Sequence, residues 1–484
     1  MNVRSSLKLR HASRWASWRR TGIRSIAASP GGGGSGPSPG AEPPLRAELF
    51  SADQMERHGV RLASAHRLAL GRVPDQLLSR LAANERVLIE TCDRLTAAVR
   101  ANDRITPAGE WLLDNLYLVE EQIRTARRHL PKGYSRELPV LAEGASARLP
   151  RVYDIALETI AHGDGRVDPE NLSRFIAAYQ TVAILKLGEL WAIPIMLRLT
   201  LIENLRRVAL RIAAGRIDQD LADEWADQMT AMAEKDPKNL VLVVADMARS
   251  SPPMSTAFVA ELARRLQGQS SALALPLTWI EQQLAESGLT IEQLVQVENQ
   301  QQAADQVSIS NSIGSLRFLG AMDWREFVEA MSVVERTLRE DPGGVYGLMD
   351  FATRDRYRHV VEKVAKKSRL SESEVARHAI HLAQEGAAQP GNDERAAHVG
   401  FYLIDRGFLL LERRAQARSS ILEALQRRHR QLPLLLYLGA IVLLAGLFAG
   451  GVLAMAQAGG VSGWVLAPLG ALALLGTSHQ AVAL

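Results

Sequence analysis

The chain has 484 residues, of which 47% are hydrophobic and 23% are charged, and its formal net charge is +4. A charge so small for this length gives no electrostatic reason to expect binding to nucleic acid. The single cysteine, Cys92, excludes an internal disulfide, and we expect it to be a buried apolar side chain. Residues 431–484 contain no Asp, Glu, Lys or Arg, whereas residues 45–430 are densely charged. This contrast separates a soluble region from a membrane region.

Residues 1–44 are predicted to be a disordered tail. They contain several arginines, no acidic residue before Glu42, and the glycine-rich run from Gly31 to Gly36. Such a composition cannot bury enough apolar surface to fold. The apolar stretch of roughly 7–15 residues that a secretory signal needs is missing here.

Residues 45–430 show helical periodicity almost throughout. We divide them into a helical region at 45–135 and a helical array at 136–430. The clearest helix is predicted from Pro107 to Leu130, with Thr106 as its N-cap and proline at its first position. Apolar residues three and four apart form one stripe along it. That stripe consists of Leu112, Leu116, Val119, Ile123 and Ala126.

Other helix starts are predicted from capping-box spacing, in which a Ser or Thr precedes a Gln or Glu by three residues. The pairs are Ser51 with Gln54, Thr290 with Gln293, and Ser371 with Glu374. Breaks are expected at the Pro and Gly clusters between the helices. The run from Leu240 to Val244 could form a strand, but it is short and flanked by helical patterns, so the soluble region is predicted to be all-α.

Five tryptophans recur in the helical patterns and are expected to belong to the core rather than to a sugar platform. Each has Leu, Ile or Met within one turn. A buried tryptophan replaced by Ala would cost roughly 3–5 kcal/mol. These residues are Trp111, Trp191, Trp225, Trp279 and Trp324.

Residues 431–484 are predicted to form two transmembrane helices, the second of them truncated. The uncharged run from Leu432 to Met455 is long enough, at roughly 1.5 Å per residue, to cross a bilayer core of about 30 Å. A second apolar segment begins at Val461. Arginines cluster only before the first span, in residues 409–430, so the positive-inside rule places the N-terminal region in the cytoplasm.

Three short patterns suggest chemistry, but none predicts a site. His162 to Asp168 resembles part of a calcium loop, but too few oxygen ligands remain, so a turn between helices is expected. Asp218-Gln219-Asp220 matches the metal-binding Asp-x-Asp of many glycosyltransferases, but lies in an amphipathic helix, where a solvated face is expected. His378 and His381 share a helical face with Glu385 but lack the i, i+4 histidine spacing of a zinc helix. We therefore predict no catalytic, cofactor-binding or metal residue.

Four long segments, and the beginning of the apolar region at Pro433, closely resemble the N-terminal part of bacterial cyclic β-1,2-glucan synthases. The resemblance covers roughly residues 45–484, and the tail before it has no counterpart. The four segments are Leu95–Gly133, Leu149–Leu205, Val307–Glu329 and Tyr346–His381.

The resemblance implies a large, multi-pass inner-membrane enzyme that polymerises glucose from UDP-glucose into β-1,2-linked chains. Members of the family cyclise the glucan, trim it by phosphorolysis and deliver it to the periplasm. Their transferase lies after the first membrane helices and carries a Gln-x-x-Arg-Trp signature. This sequence lacks the signature, since its only Arg-Trp pair, Arg14-Trp15, follows His11 instead of Gln. No catalytic residue can therefore be assigned by resemblance.

We expect the chain to be the membrane-anchoring and structural or regulatory part of such a synthase and to be inactive alone. Its expected partners are the lipid bilayer and the remaining domains of the synthase; UDP-glucose would bind only through those domains, and no cofactor or nucleic acid is expected. The alternative is a helical membrane adaptor without enzymatic activity. The sequence stops at Leu484 inside an apolar segment, which favours a truncated synthase. An in-frame downstream sequence with the Gln-x-x-Arg-Trp signature would distinguish the two.

Overall fold

The computed structural model describes residues 44–69, 74–130, 133–388, 394–418, 433–460 and 463–472. The predicted tail before residue 44, the arginines between 419 and 432 and the apolar residues after 472 lie outside these ranges. The chain divides into two compact units, one ending at Arg336 and the other beginning at Thr337.

Helices account for nearly all regular structure in the described residues, which confirms the all-α prediction. Extended pairing within these ranges is limited to two isolated bridges, Leu68 with Leu141 and Val140 with Pro150. The helices of the first unit, with the one that straddles its boundary, are α1 (Ala52–Ala65), α2 (Leu77–Arg100), α3 (Pro107–Asp114), α4 (Leu116–His129), α5 (Arg151–His162), α6 (Pro169–Gln180), α7 (Leu187–Lys235), α8 (Leu240–Ser250), α9 (Thr256–Leu266), α10 (Ala274–Ala285), α11 (Ile291–Ala321), α12 (Trp324–Met331) and α13 (Val333–Leu338).

The 49-residue helix α7 is the axis of the first unit. At roughly 1.5 Å per residue it is about 70 Å long. Every residue from Ala192 to Arg206 is buried, as expected for a helix that is surrounded by others. Helices α2, α4, α5 and α11 pack around this half and form the first hydrophobic core. The second half of α7 packs with α8, α9 and α10 around a smaller core that includes Ala226 and Met229.

The predicted helix starts are confirmed. Ser51 and Thr290 each accept a hydrogen bond from the backbone N–H three residues on, and their own backbone N–H groups donate to the side-chain oxygen of Gln54 and Gln293. Ser371 and Glu374 make the same exchange at the start of a helix of the second unit. Thr106 accepts from the Gly109 amide, with Pro107 at the first helical position. Each cap satisfies backbone donors that the first turn of a helix leaves without partners.

The predicted helix from Pro107 to Leu130 is broken at Asn115, which separates α3 from α4. The Asn115 side-chain amide donates to the carbonyl of Trp111 (2.9 Å), and its oxygen accepts from Arg317 (2.5 Å) on α11. A side chain that bonds the backbone of the preceding turn competes with the regular helical pattern. The single continuous helix was therefore a wrong prediction, although its apolar stripe does face the first core.

The segment that follows His162 is a turn between α5 and α6, as predicted. Asp164 and Gly165 both adopt positive φ, at 46° and 80°. A Cβ at Gly165 would lie 2.5 Å from the Ser312 hydroxyl of α11. The turn therefore needs glycine at this position, both for its backbone conformation and for its close approach to α11. Leu240–Val244 is also helical, within α8, as its flanking patterns indicated.

The tryptophans occupy the margins of the cores rather than their centres. Trp191 and Trp324 are half-buried against the first core, and Trp225 and Trp279 against the second. Trp111 is 40% exposed. The expectation that Trp111 is a buried core residue was therefore wrong, because the buried side of α3 is formed by Ala108, Gly109 and Leu112.

The second unit contains a loop that is held by one carboxylate. Asp341 follows α13 and accepts backbone hydrogen bonds from Tyr346 (3.2 Å) and Val399 (2.8 Å), and His398 Nδ1 lies 2.7 Å from it. Burial alone would raise the pKa of Asp341, but these bonds outweigh it and lower the pKa. The helices of this unit are α14 (Phe351–Lys367), α15 (Glu372–Ala388), α16 (Val399–Ile404), α17 (Phe408–Arg414), α18 (Pro433–Ala458) and α19 (Gly463–Leu472).

One helix in the described residues is long and apolar enough to cross a membrane. Within α18, the 18 residues Ile441–Ala458 have a mean hydropathy of 2.1, and only 12% of this window is buried against protein. The second apolar helix, α19, has ten described residues, fewer than the roughly 20 that a membrane span requires. The second predicted span is therefore not confirmed.

Candidate functional site

A buried carboxylate lies at the centre of the first unit. Glu203, on α7, has no exposed side-chain surface. Its two oxygens accept hydrogen bonds from Arg80 Nε (2.7 Å) and Nη2 (2.5 Å) of α2, from the Tyr153 hydroxyl (2.6 Å) of α5, and from Arg207 (2.7 Å) one turn further along α7. One charge thus joins three helices of the first core.

The electrostatics keep Glu203 ionised. Burial alone would raise its pKa, but the hydrogen bonds and positive charge of Arg80, with contributions from Tyr153 and Arg207, outweigh burial and hold the pKa at about 2. Burial is also the main reason why the pKa of Tyr153 is raised. A general acid or base needs a pKa near the working pH and access to a substrate. Glu203 has neither, so its role is to link the helices.

A second buried ion pair joins α5 to the start of α7. Arg151 donates to both oxygens of Glu189, at 2.6 and 2.7 Å, and also to the Ile184 carbonyl (2.8 Å). Bidentate pairs of this kind fix geometry as well as charge. Burial would lower the pKa of Arg151, but its bonds to Glu189 outweigh burial and raise it. This charge is therefore also committed to holding helices together.

Hydroxyl and amide groups connect α7 to α11 without charge. The Asn204 amide donates to the hydroxyls of Ser308 and Ser312, both at 3.1 Å, and its oxygen accepts from the Leu45 amide at 3.0 Å. The Ser315 hydroxyl donates to the Gly165 carbonyl at 2.8 Å. This serine-lined face of α11 positions the turn after α5 and the first described residues of the chain against the long helix.

The two Asp-x-Asp carboxylates have different surroundings and different partners. Asp218 is 7% exposed and accepts from the Ser255 hydroxyl at the N-cap of α9 (2.7 Å). Asp220 lies nearer to solvent and pairs with Arg216 at 2.7 Å. The expectation of a solvent-exposed carboxylate is thus right for Asp220 and wrong for Asp218. The hydrogen bond between Asp218 and Ser255 helps to attach α9, and with it the second core, to α7.

The histidines of α15 do not assemble with Glu385 into a ligand set. His381 and Glu385 are exposed, and Glu385 pairs with Arg414 of α17 at 3.0 Å. Within the described ranges, another group of side chains, which was not predicted, is close enough together to bind one metal ion. His58 of α1 meets Glu158 and His162 of α5, with donor atoms within 4.8 Å of one another. The spacing of Glu158 and His162 could have indicated half of this group, but nothing near His58 in sequence pointed to it.

Comparison with known proteins gives one informative relative. No family model matches the sequence. The chain is similar to the cyclic beta-(1,2)-glucan synthase NdvB of Rhizobium meliloti (strain 1021), with 33% identity over 403 residues. The alignment covers 83% of this chain but only 14% of that protein. The predicted resemblance to a segment of the cyclic β-1,2-glucan synthase family is confirmed.

Proposed function

We propose that this chain, which is related to a segment of the cyclic β-1,2-glucan synthases, is the membrane-anchoring structural part of such an enzyme. The observation that carries the proposal is that the buried carboxylates of the first unit are paired with arginines. Glu203 and Glu189, the central carboxylates, have no exposed side-chain surface and are each bound by arginine. Such residues stabilise a scaffold and offer nothing to a substrate.

The proposal assigns catalysis to other parts of a synthase. UDP-glucose would bind only in those parts, and the chain alone would transfer no glucose. The helical region would instead hold or regulate the transferase at the membrane. The similarity to a relative of which the chain spans only 14% supports this division of roles.

The proposed location is a bacterial inner membrane, with the helical region in the cytoplasm and α18 as the first span. Arg413, Arg414 and Arg418 precede α18 with Glu412 as their acidic neighbour, and no charged residue follows them within α18 or α19. An arginine-rich flank of this kind stays on the cytoplasmic side. A multi-pass arrangement would require a second crossing that includes α19.

An incorporation assay tests the absence of catalysis. Membranes that contain only this chain are incubated with labelled UDP-glucose and compared with empty membranes and with membranes that contain a complete synthase. We expect the chain to match the empty membranes. Glucan synthesis above that background would contradict the proposal.

A graft tests the structural role. The matching segment of a complete synthase is replaced by residues 45–472 of this chain, and cyclic glucan is measured. We expect activity to survive with the Glu120→Gln graft, whose substitution affects an exposed pair with Arg124, and to be reduced with the Glu203→Gln graft, whose scaffold is less stable. Full activity with the Glu203→Gln graft in the membrane fraction would contradict the structural role.

A further inference from the structure

Two histidines and a glutamate from two helices converge near the first described residues. His58 Nε2 lies 2.7 Å from Glu158 Oε2, and His162 Nε2 lies 3.3 Å from the same oxygen. Glu158 and His162 are one turn apart on α5, whereas His58 belongs to α1, 100 residues earlier than Glu158. We propose that these three residues bind a divalent transition-metal ion, for which zinc is the best match.

The hydrogen bond that His162 makes through Nδ1 directs its other ring nitrogen, Nε2, towards Glu158. His162 Nδ1 lies 2.7 Å from the Glu48 carbonyl oxygen, which can only accept, so Nδ1 must carry the proton. A neutral His162 then presents the lone pair of Nε2 to the Glu158 carboxylate. Metal-bound histidines are oriented in the same way, by donation from the second ring nitrogen to a carbonyl or carboxylate.

This arrangement places two acceptors against each other. When His162 is neutral, its Nε2 lone pair and the Glu158 oxygen are 3.3 Å apart and neither can donate to the other, whereas a second proton on His162 would make the contact an ion pair. A cation between them removes the repulsion. A metal ion would bind both groups, and it would also bind His58 once the proton on its Nε2 is released, as metal ligation requires.

The spacing of the donors suits zinc. Zinc bonds of about 2.0–2.2 Å in a tetrahedral arrangement hold neighbouring ligand atoms about 3.3 Å apart. The 3.3 Å between His162 Nε2 and Glu158 Oε2 equals this value, whereas the 2.7 Å from His58 Nε2 is a hydrogen-bond distance that would have to lengthen around an ion. All three ligand atoms lie within 4.8 Å of one another. Two imidazoles and one carboxylate are a donor set that zinc accepts with water as its fourth ligand.

Aromatic packing holds the imidazoles in position while leaving the cluster accessible. Phe50 stacks on His162 with ring centroids 3.7 Å apart, and Phe175 lies parallel to His58 at 6.2 Å. The side chains of His58, Glu158 and His162 are 18%, 29% and 10% exposed. An ion can therefore enter from solvent, and a surface depression lined by Glu48, Phe50, Gln54 and Arg57 adjoins the cluster.

The ion would fasten α1 to the first core. Helix α1 packs mainly against α6, and the proposed ligands add a link from α1 to α5. Since a ligand that binds only the folded state stabilises it, zinc should raise the unfolding temperature of the chain.

The test uses the full chain in detergent, freed of metal with a chelator and titrated with zinc chloride by calorimetry. We expect one zinc ion per chain. His58→Gln and His162→Gln should each weaken binding by at least the roughly 10–100-fold that loss of an outer ligand partner costs. His359→Gln is the matched control, because His359 and Asp355 form a pair with the same spacing but no third ligand lies with them among the residues that the structure describes. This variant should bind zinc as the unchanged chain does.

Two further readouts separate ligation from a folding defect. Cobalt added in place of zinc should give the visible absorption of a tetrahedral site in the unchanged chain and in His359→Gln, but not in the other two variants. Circular dichroism should show all variants folded without metal. The proposal is overturned if the unchanged chain binds no zinc at micromolar concentrations, if His58→Gln and His162→Gln bind it equally well, or if nitrogen NMR finds His162 doubly protonated with zinc present.

Discussion

Replacement of Glu203 by glutamine removes the charge on which three helices of the first core converge. The substitution keeps the size of the side chain but leaves Arg80 and Arg207 facing a neutral amide. Removing one partner of a buried ion pair typically costs about 3–5 kcal/mol. Since the Arg80 side chain is 37% exposed and keeps some contact with water, we expect the lower end of this range, about 3 kcal/mol.

The lowered pKa of Glu203 gives a similar free-energy cost for its replacement. The pKa is about 2 instead of 4.5, and at about 1.4 kcal/mol for each pKa unit the difference amounts to about 3 kcal/mol. A domain is typically stable by only about 5–15 kcal/mol, so the loss should be easy to measure. The assay is urea unfolding of the full chain in detergent, followed by tryptophan fluorescence.

Glu120→Gln is the control, because Glu120 pairs with Arg124 at 3.7 Å on the exposed face of α4. A surface pair of this kind contributes about 0–1 kcal/mol, so the control should unfold almost as the unchanged chain does. If Glu203→Gln lost no more stability than Glu120→Gln, the network around Glu203 would not stabilise the first core and the reasoning would be refuted.

Three further predictions follow from the same contacts. Because the pKa of Glu203 is lowered on folding, its contribution to the free energy of unfolding is complete above pH 4.5 and disappears as the pH falls towards about 2. In urea unfolding, the stability difference between Glu203→Gln and the unchanged chain should therefore vanish over that interval. Burial, with Asp93 and Glu120 nearby, raises the pKa of Cys92 to about 12, so a thiol reagent at pH 8 should label it only after unfolding; rapid labelling of the native chain would contradict its burial. A reporter fused after Arg418 should be active as a cytosolic fusion, and alkaline phosphatase activity there would contradict the proposed topology.

Several features of this protein follow from residues close together in sequence. The capping boxes at Ser51, Thr290 and Ser371 were predictable because each cap joins residues three positions apart. The turn after His162 and the uncharged character of α18 are local in the same way. Long segments also carry the resemblance to the synthases, which requires no knowledge of the fold.

The rest depended on partners that are distant in sequence. Where α3 ends, Asn115 bonds the Trp111 carbonyl and also accepts from Arg317, 202 residues away, a partner that the apolar stripe could not reveal. Asp218 is buried and accepts a hydrogen bond from Ser255, 37 residues away. His58 meets Glu158 only after α1 has packed beside α5. Helical periodicity indicates which side of a helix is apolar, but it does not identify the residues that pack against that side. For buried charges and metal ligands, the neighbouring group decides whether burial is favourable, because a charge away from water is stable only beside a complementary group.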